Sequence, residues 1–152
     1  AAAKTIKAKE SKKKLPDTIL KRKWASARDT KSLLLDTGST FSCCNNPKML
    51  TNIRKCKRPI NGISNGGVMV TSEEGDLPGF FPVYYNPKSL LNIISFSDMR
   101  KKFRITMDTS DEVAILVHLG NGAVMKFLEV GAGLYIWKPE HNCNLLNKQI
   151  SS

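Results

Sequence analysis

The residue best placed to do chemistry in this chain is Asp36. It follows three apolar residues without a break, in the run Leu33-Leu34-Leu35-Asp36-Thr37-Gly38-Ser39. A carboxylate set directly after a buried run is costly unless neighbouring groups compensate it. Gly38 permits a sharp turn, so backbone amides and the hydroxyls of Thr37 and Ser39 are expected to reach that carboxylate. An acid held rigidly in a defined protonation state suits general acid–base work on a water molecule. The plainer reading is an aspartate that caps a turn after a strand. The apolar triplet before it and the serine after it favour the catalytic reading.

Other chemistries are poorly served. A serine hydrolase would need Ser39, His118 and a carboxylate, yet no G-x-S-x-G elbow is present and His118 falls within an apolar alternation. Four cysteines occur, at 43, 44, 56 and 143. Cys43 and Cys44 are adjacent and would point to opposite faces of a strand, no C-x-x-C pair exists, and His118 and His141 have no ligand spacing. No metal site is therefore expected, and the thiols read as buried or idle. A second aspartate at Met107-Asp108-Thr109-Ser110 lacks the glycine and runs into Asp111-Glu112, so it reads as a solvated turn.

The elements that must position Asp36 are mostly strands. Ser32 to Leu35 reads as a short buried strand that ends in a turn. Further strands are expected at Ile60 to Ile63 and Val68 to Thr71, with Glu73-Glu74-Gly75-Asp76 as a turn and Phe80 to Tyr85 as the returning strand. Pro82 suggests an edge or a bulge there. Leu90 to Ile94 reads as another buried strand. It leads into Ser95 to Phe103, a short helix with an S-x-x-D capping signal and basic residues at its end. Strands at Arg104 to Asp108, Val113 to Leu119 and Ala123 to Val130 follow, the last two joined by a Gly120-Asn121-Gly122 turn. Leu134 to Trp137 is the final strand. The class is mostly β with one short helix.

In this order the motifs resemble retropepsins, in particular the protease segment of copia-type retrotransposon polyproteins. The shared pattern is the apolar run into Asp-Thr-Gly-Ser at 36–39, then a glycine-rich flap, Ile60 to Val70. An aromatic strand before a proline follows at Val83-Tyr84-Tyr85-Asn86-Pro87. An Asn-apolar-apolar-Ser run then leads into a helix at Asn92-Ile93-Ile94-Ser95, and Gly133-Leu134-Tyr135 lies near the end. The resemblance covers about Trp24 to Pro139. Ser95 stands where most retropepsins have glycine, and the flap is longer and more polar than the compact viral one.

What the resemblance implies is a closed β-barrel half of an acid protease, working as a homodimer. Asp36 would be catalytic, with Thr37, Gly38 and Ser39 as its support. Gly62, Ile63, Ser64, Asn65, Gly66 and Gly67 would form the flap over a peptide, and Ile93, Ile94 and Ser95 a second apolar loop. No cofactor is needed, because two close carboxylates share one proton and activate a water. One chain carries one such aspartate, so the other must come from a second copy. Leu134 to Trp137 is the expected dimer contact, with core packing as the alternative. The substrate would be the element's own Gag-Pol precursor, cut in the cytoplasm or within virus-like particles. The rival class is a protease-like domain without activity that serves as an interaction or RNA-binding module.

Charge divides the chain. Between residues 1 and 23, nine cations face Glu10 and Asp17, so +7 of the net +11 lies in that stretch. This leader reads as solvated and disordered, with Pro16 breaking any helix. A weak nucleic-acid contact is its functional alternative. The protease domain is placed at 24–139 and a polar tail at 140–152. With 41% hydrophobic residues the chain can build a core. It has no apolar run near the roughly 18 residues that span a bilayer. A soluble, intracellular protein is expected, with no membrane partner.

Overall fold

Among the described residues, ten strands form one sheet in the order β3-β4-β5-β2-β6-β1-β10-β9-β8-β7. The computed structural model describes residues 30–64, 67–131 and 133–141. The leader at 1–23 and nearly all of the tail at 140–152 lie outside these residues. The strands are β1 Leu33–Asp36, β2 Cys43–Cys44, β3 Thr51–Ser64, β4 Gly67–Asp76, β5 Pro82–Tyr85, β6 Ile93–Ser95, β7 Arg104–Thr106, β8 Ala114–His118, β9 Val124–Val130 and β10 Leu134–Trp137. The one α-helix among the described residues, α1, spans Phe96–Lys102. No helix there is long and apolar enough to cross a membrane.

The mostly-β class with one short helix is as expected, but the sheet is not closed into a barrel. β3 and β7 stand at its two open edges. Most pairs are antiparallel. Two are parallel, β1 with β6 and β2 with β5. The period-two rule sorts the leucine run: Leu33 and Leu35 enter the main core with Ile94, Met99, Phe127 and Trp137. Leu34 turns to the opposite face, where it packs with Ile136 beside Leu91, Ile93, Val130 and Leu134. β1 is thus apolar on both sides, which explains an unbroken run rather than an alternation.

Local signals behave as their chemistry predicts at several joints. Gly120 and Gly122 take positive φ of 68° and 82°, and the Ala123 N–H reaches Asn121 Oδ1 at 3.0 Å, closing the β8–β9 turn. Ser95 is the N-cap of α1, its hydroxyl accepting the Asp98 N–H at 3.3 Å, and Arg100, Lys101 and Lys102 occupy the last turn. His118 is a satisfied sheet histidine, with Nε2 2.7 Å from Thr106 Oγ1.

Other expectations fail for identifiable reasons. Glu73 to Asp76 is not a turn but the end of β4, paired with both β3 and β5. Its acids are drawn into the sheet by Arg54, whose Nε lies 3.3 Å from Glu74 and whose Nη1 lies 3.1 Å from Asp76. Gly75 serves close packing: a Cβ there would sit 3.1 Å from Leu50 Cβ. The reversal falls later, at Leu77 to Phe81, where Gly79 has φ 81°. β6 starts at Ile93 rather than Leu90, which is 71% exposed, because Ser89 and Asn86 hold the preceding residues in a turn. β7 stops at Thr106, and Asp108 instead accepts the Ser110 N–H and hydroxyl in an exposed turn. Those two bonds hold the Asp108 carboxyl below its usual range.

Candidate active site

Asp36 ends β1 in the interior of the sheet, with β10 on one side and β6 on the other. The parallel register sets Leu34 beside Ile93, Leu35 beside Ile94 and Asp36 beside Ser95. The apolar run and Ile93–Ser95, expected as a second apolar loop and here strand β6, are therefore neighbours although each registered pair is 59 residues apart in the chain. Leu35, Ile94 and Ser95 are buried, so the strand beneath the carboxylate is fixed on both sides. Asp36 itself is half-buried, while Thr37 and Gly38 are exposed.

The carboxylate is held by one backbone amide. Gly38 N–H donates to Asp36 Oδ1 at 2.8 Å. The hydroxyl support expected of Ser39 is absent, because its Oγ donates to the Phe41 carbonyl at 2.7 Å and shapes the following loop instead. No hydroxyl bond from Thr37 reaches Asp36 among the described residues. Gly38 is not required by a left-handed φ, and a Cβ there would stand 3.4 Å from Asp36 Oδ1, an ordinary contact. Within one chain, then, the glycine keeps the surface over the carboxylate bare.

Two polar clamps fix this platform. Asn92 is buried, and its Nδ2 donates to the carbonyls of Thr30 at 2.8 Å and Ser32 at 3.1 Å. Its Oδ1 accepts the Asn45 N–H at 2.8 Å, and its own carbonyl accepts Leu34 N–H. One amide thereby ties the start of β1, the end of β2 and the start of β6 together, with each polar atom satisfied. Ser42 is the second clamp. Its Oγ accepts the Ser95 N–H at 2.9 Å and donates to Asp98 Oδ2 at 2.8 Å. Ser95 Oγ completes the link by donating to the Ser39 carbonyl at 2.9 Å. The capping box expected at Ser95 and Asp98 is thus half direct: Ser95 Oγ accepts the Asp98 N–H, while Ser42 bridges the return path from Ser95 N–H to the Asp98 carboxylate. A glycine in place of Ser95 could not make that bond, which accounts for the serine here.

The expected flap is a real hairpin, longer than the sequence suggested. β3 and β4 pair from Thr51–Asp76 up to Ser64–Gly67, with irregularities between Thr51 and Arg54 and between Lys55 and Ile60. Gly62 and Ile63 lie in β3, Ser64 ends it and Gly67 opens β4, while Asn65 and Gly66 lie outside the described residues. Gly62 passes close over the site loop: a Cβ there would be 3.3 Å from Phe41 Cζ. Between hairpin, loop and β5 runs an open cleft of about 470 Å³, lined by Thr40, Phe41, Ser42, Ile60, Glu74, Pro82, Val83, Tyr84 and Asp98. Sequence reasoning missed Phe41, Ser42 and Tyr84 as site residues. A lone serine between Phe41 and two cysteines was the available signal.

The remaining candidates do not join the site. β10 pairs on both sides, with β1 and with β9, and Ile136 and Trp137 are buried. Its backbone has no free edge for a second copy to pair with; Leu134 and Tyr135, at its start, are half-buried. Cys43 and Cys44 are buried free thiols. Burial pushes Cys43 up to about 11 and Cys44 up to about 12, so neither is a nucleophile near neutral pH. Cys143 lies outside the described residues. No protein-family model matches the chain, and no curated protein or solved structure matches it either.

Proposed function

We propose that this chain is one half of an aspartic endopeptidase of the retropepsin type, completed by a second copy at a two-fold axis. The observation that carries the reading is the placement of Asp36. It ends a strand whose three leucines are buried, registered in parallel against Ser95, yet Thr37 and Gly38 of its own turn are exposed among the described residues. A carboxylate braced this firmly and left bare on its outer side fits a site that another copy of the same turn would close.

In that dimer two Asp36 carboxylates face each other and cannot both ionise, so they hold one proton between them. The ionised one takes a proton from a water, which attacks the scissile carbonyl. The protonated one donates to the carbonyl oxygen. The β3–β4 hairpin, reaching over Phe41, excludes solvent from the peptide. By its resemblance to the copia-type segment, the substrate is a Gag-Pol precursor.

Asp36→Asn is nearly isosteric and removes only the ionisable group. It is expected to cut peptide hydrolysis by roughly a hundredfold to ten-thousandfold while the melting transition stays in place. Hydrolysis at the wild-type rate by a contaminant-free Asp36→Asn preparation would end the assignment.

A further inference from the structure

The cleft beside Phe41 has a chemistry that the activation of water does not use. We propose that it is a side-chain subsite for a long cationic residue, lysine or arginine, of an extended peptide substrate; this rests on the endopeptidase reading above. Its position suits a subsite, because Thr40, Phe41 and Ser42 follow the Asp36 turn directly and Ile60 belongs to the hairpin that reaches over that loop.

The lining is selective in charge. Among the described residues it holds two carboxylates, Glu74 and Asp98, and no lysine or arginine; Lys57 and Arg58 line the adjoining groove, on the far side of Glu74 and Tyr84. Glu74 is already engaged by Arg54 at 3.3 Å. Asp98 has no cationic partner among the described residues. Its carboxylate is oriented by the Ser42 hydroxyl on Oδ2, which leaves Oδ1 as an acceptor. Ser42 is buried and bonded to Ser95 N–H, so the orienting group is itself fixed.

The body of the cleft fits the stem of such a side chain. Phe41 and Tyr84 meet edge to face, with centroids 5.9 Å apart, and Ile60, Pro82 and Val83 complete an apolar wall. Methylenes of lysine or arginine lie along such a wall with the charged head beyond it. Ring faces add attraction for the cation. A glutamate in the same place would meet two like charges, and a neutral apolar chain would leave Asp98 unpaired.

The test uses the full chain and sets of peptides that differ at one position: lysine, its uncharged isostere norleucine, or glutamate, scanned across the cleavage site. At one position lysine is expected to exceed norleucine in kcat/KM by roughly tenfold, with glutamate poorest. Asp98→Asn, which keeps the size of the side chain, should bring the lysine-to-norleucine ratio close to one, and Glu74→Gln should lower it less. Hydrolysis with no position favouring a cation, or a ratio unchanged in Asp98→Asn, overturns the subsite and leaves the endopeptidase reading standing. If no peptide is cut, that reading fails by itself. Fluorescence anisotropy of the labelled lysine and norleucine peptides then decides the subsite: tighter lysine binding lost in Asp98→Asn supports it, and equal binding overturns it. Thermal melts of both variants confirm that each is folded.

Discussion

The β1–β6 platform and the β3–β4 hairpin are built on opposite principles. In the platform Leu33, Ile94 and Ser95 are wholly buried, both strands are interior to the sheet, and Asn92 and Ser42 tie the pieces together through side-chain bonds. The hairpin ends the sheet. Its outer strand is an edge, its register slips twice, and Val68 and Val70 are 66% and 64% exposed. Its described ion pairs, Arg54 with Glu74 and Asp76, are partly solvated and contribute under about 1 kcal/mol each. Stability is therefore concentrated around Asp36 and thin in the hairpin, the distribution that the proposed endopeptidase would need for a fixed acid under a cover that opens. An element with few buried apolar contacts opens at low free-energy cost.

Three measurements would break or sharpen this contrast. The largest effect is expected at Asn92. Asn92→Ala strips partners from two carbonyls and the Asn45 N–H at once, and should cost roughly 3 kcal/mol in denaturant unfolding. A loss below about 1 kcal/mol would mean that the amide clamp does not hold the platform.

Next comes alkaline pH. The Cys43 and Cys44 thiols are raised from 9.0 to about 11 and about 12 by burial. Above pH 9 the unfolded chain releases these protons while the folded one retains them, so stability falls with rising pH. By pH 10 the loss should be roughly 2 kcal/mol, and it should shrink in Cys44→Ala. Stability that holds flat from pH 8 to 10 would show that these thiols are not desolvated.

The smallest effect is expected in the hairpin. Lys57→Gln, in the irregular stretch of β3, should change stability by under about 0.5 kcal/mol. A larger loss would make the hairpin part of the rigid body.

Legibility in the sequence followed the range of the interaction. The Asp36 turn, the helix start at Ser95 and the Gly120–Gly122 turn are written in a few adjacent residues and are legible there. Ser42 is not, because its partners Ser95 and Asp98 lie 53 and 56 residues away. Glu73 to Asp76 carries the local chemistry of a turn, and pairing with β3 on one side and β5 on the other makes it a strand. Of the long polar β3 only the apolar end is legible, since an edge strand need not alternate. Whether a sheet closes is decided by pairing between its first and last strands, which no local signal records.

The shared site is tested most directly by initial rates across a dilution series, with molar mass measured at each concentration. Activity per mole of chain should fall as the dimer dissociates, and a statine-type active-site inhibitor should drive the chains back to twice the monomer mass. A fully active species of monomer mass would contradict a site made from two copies of Asp36.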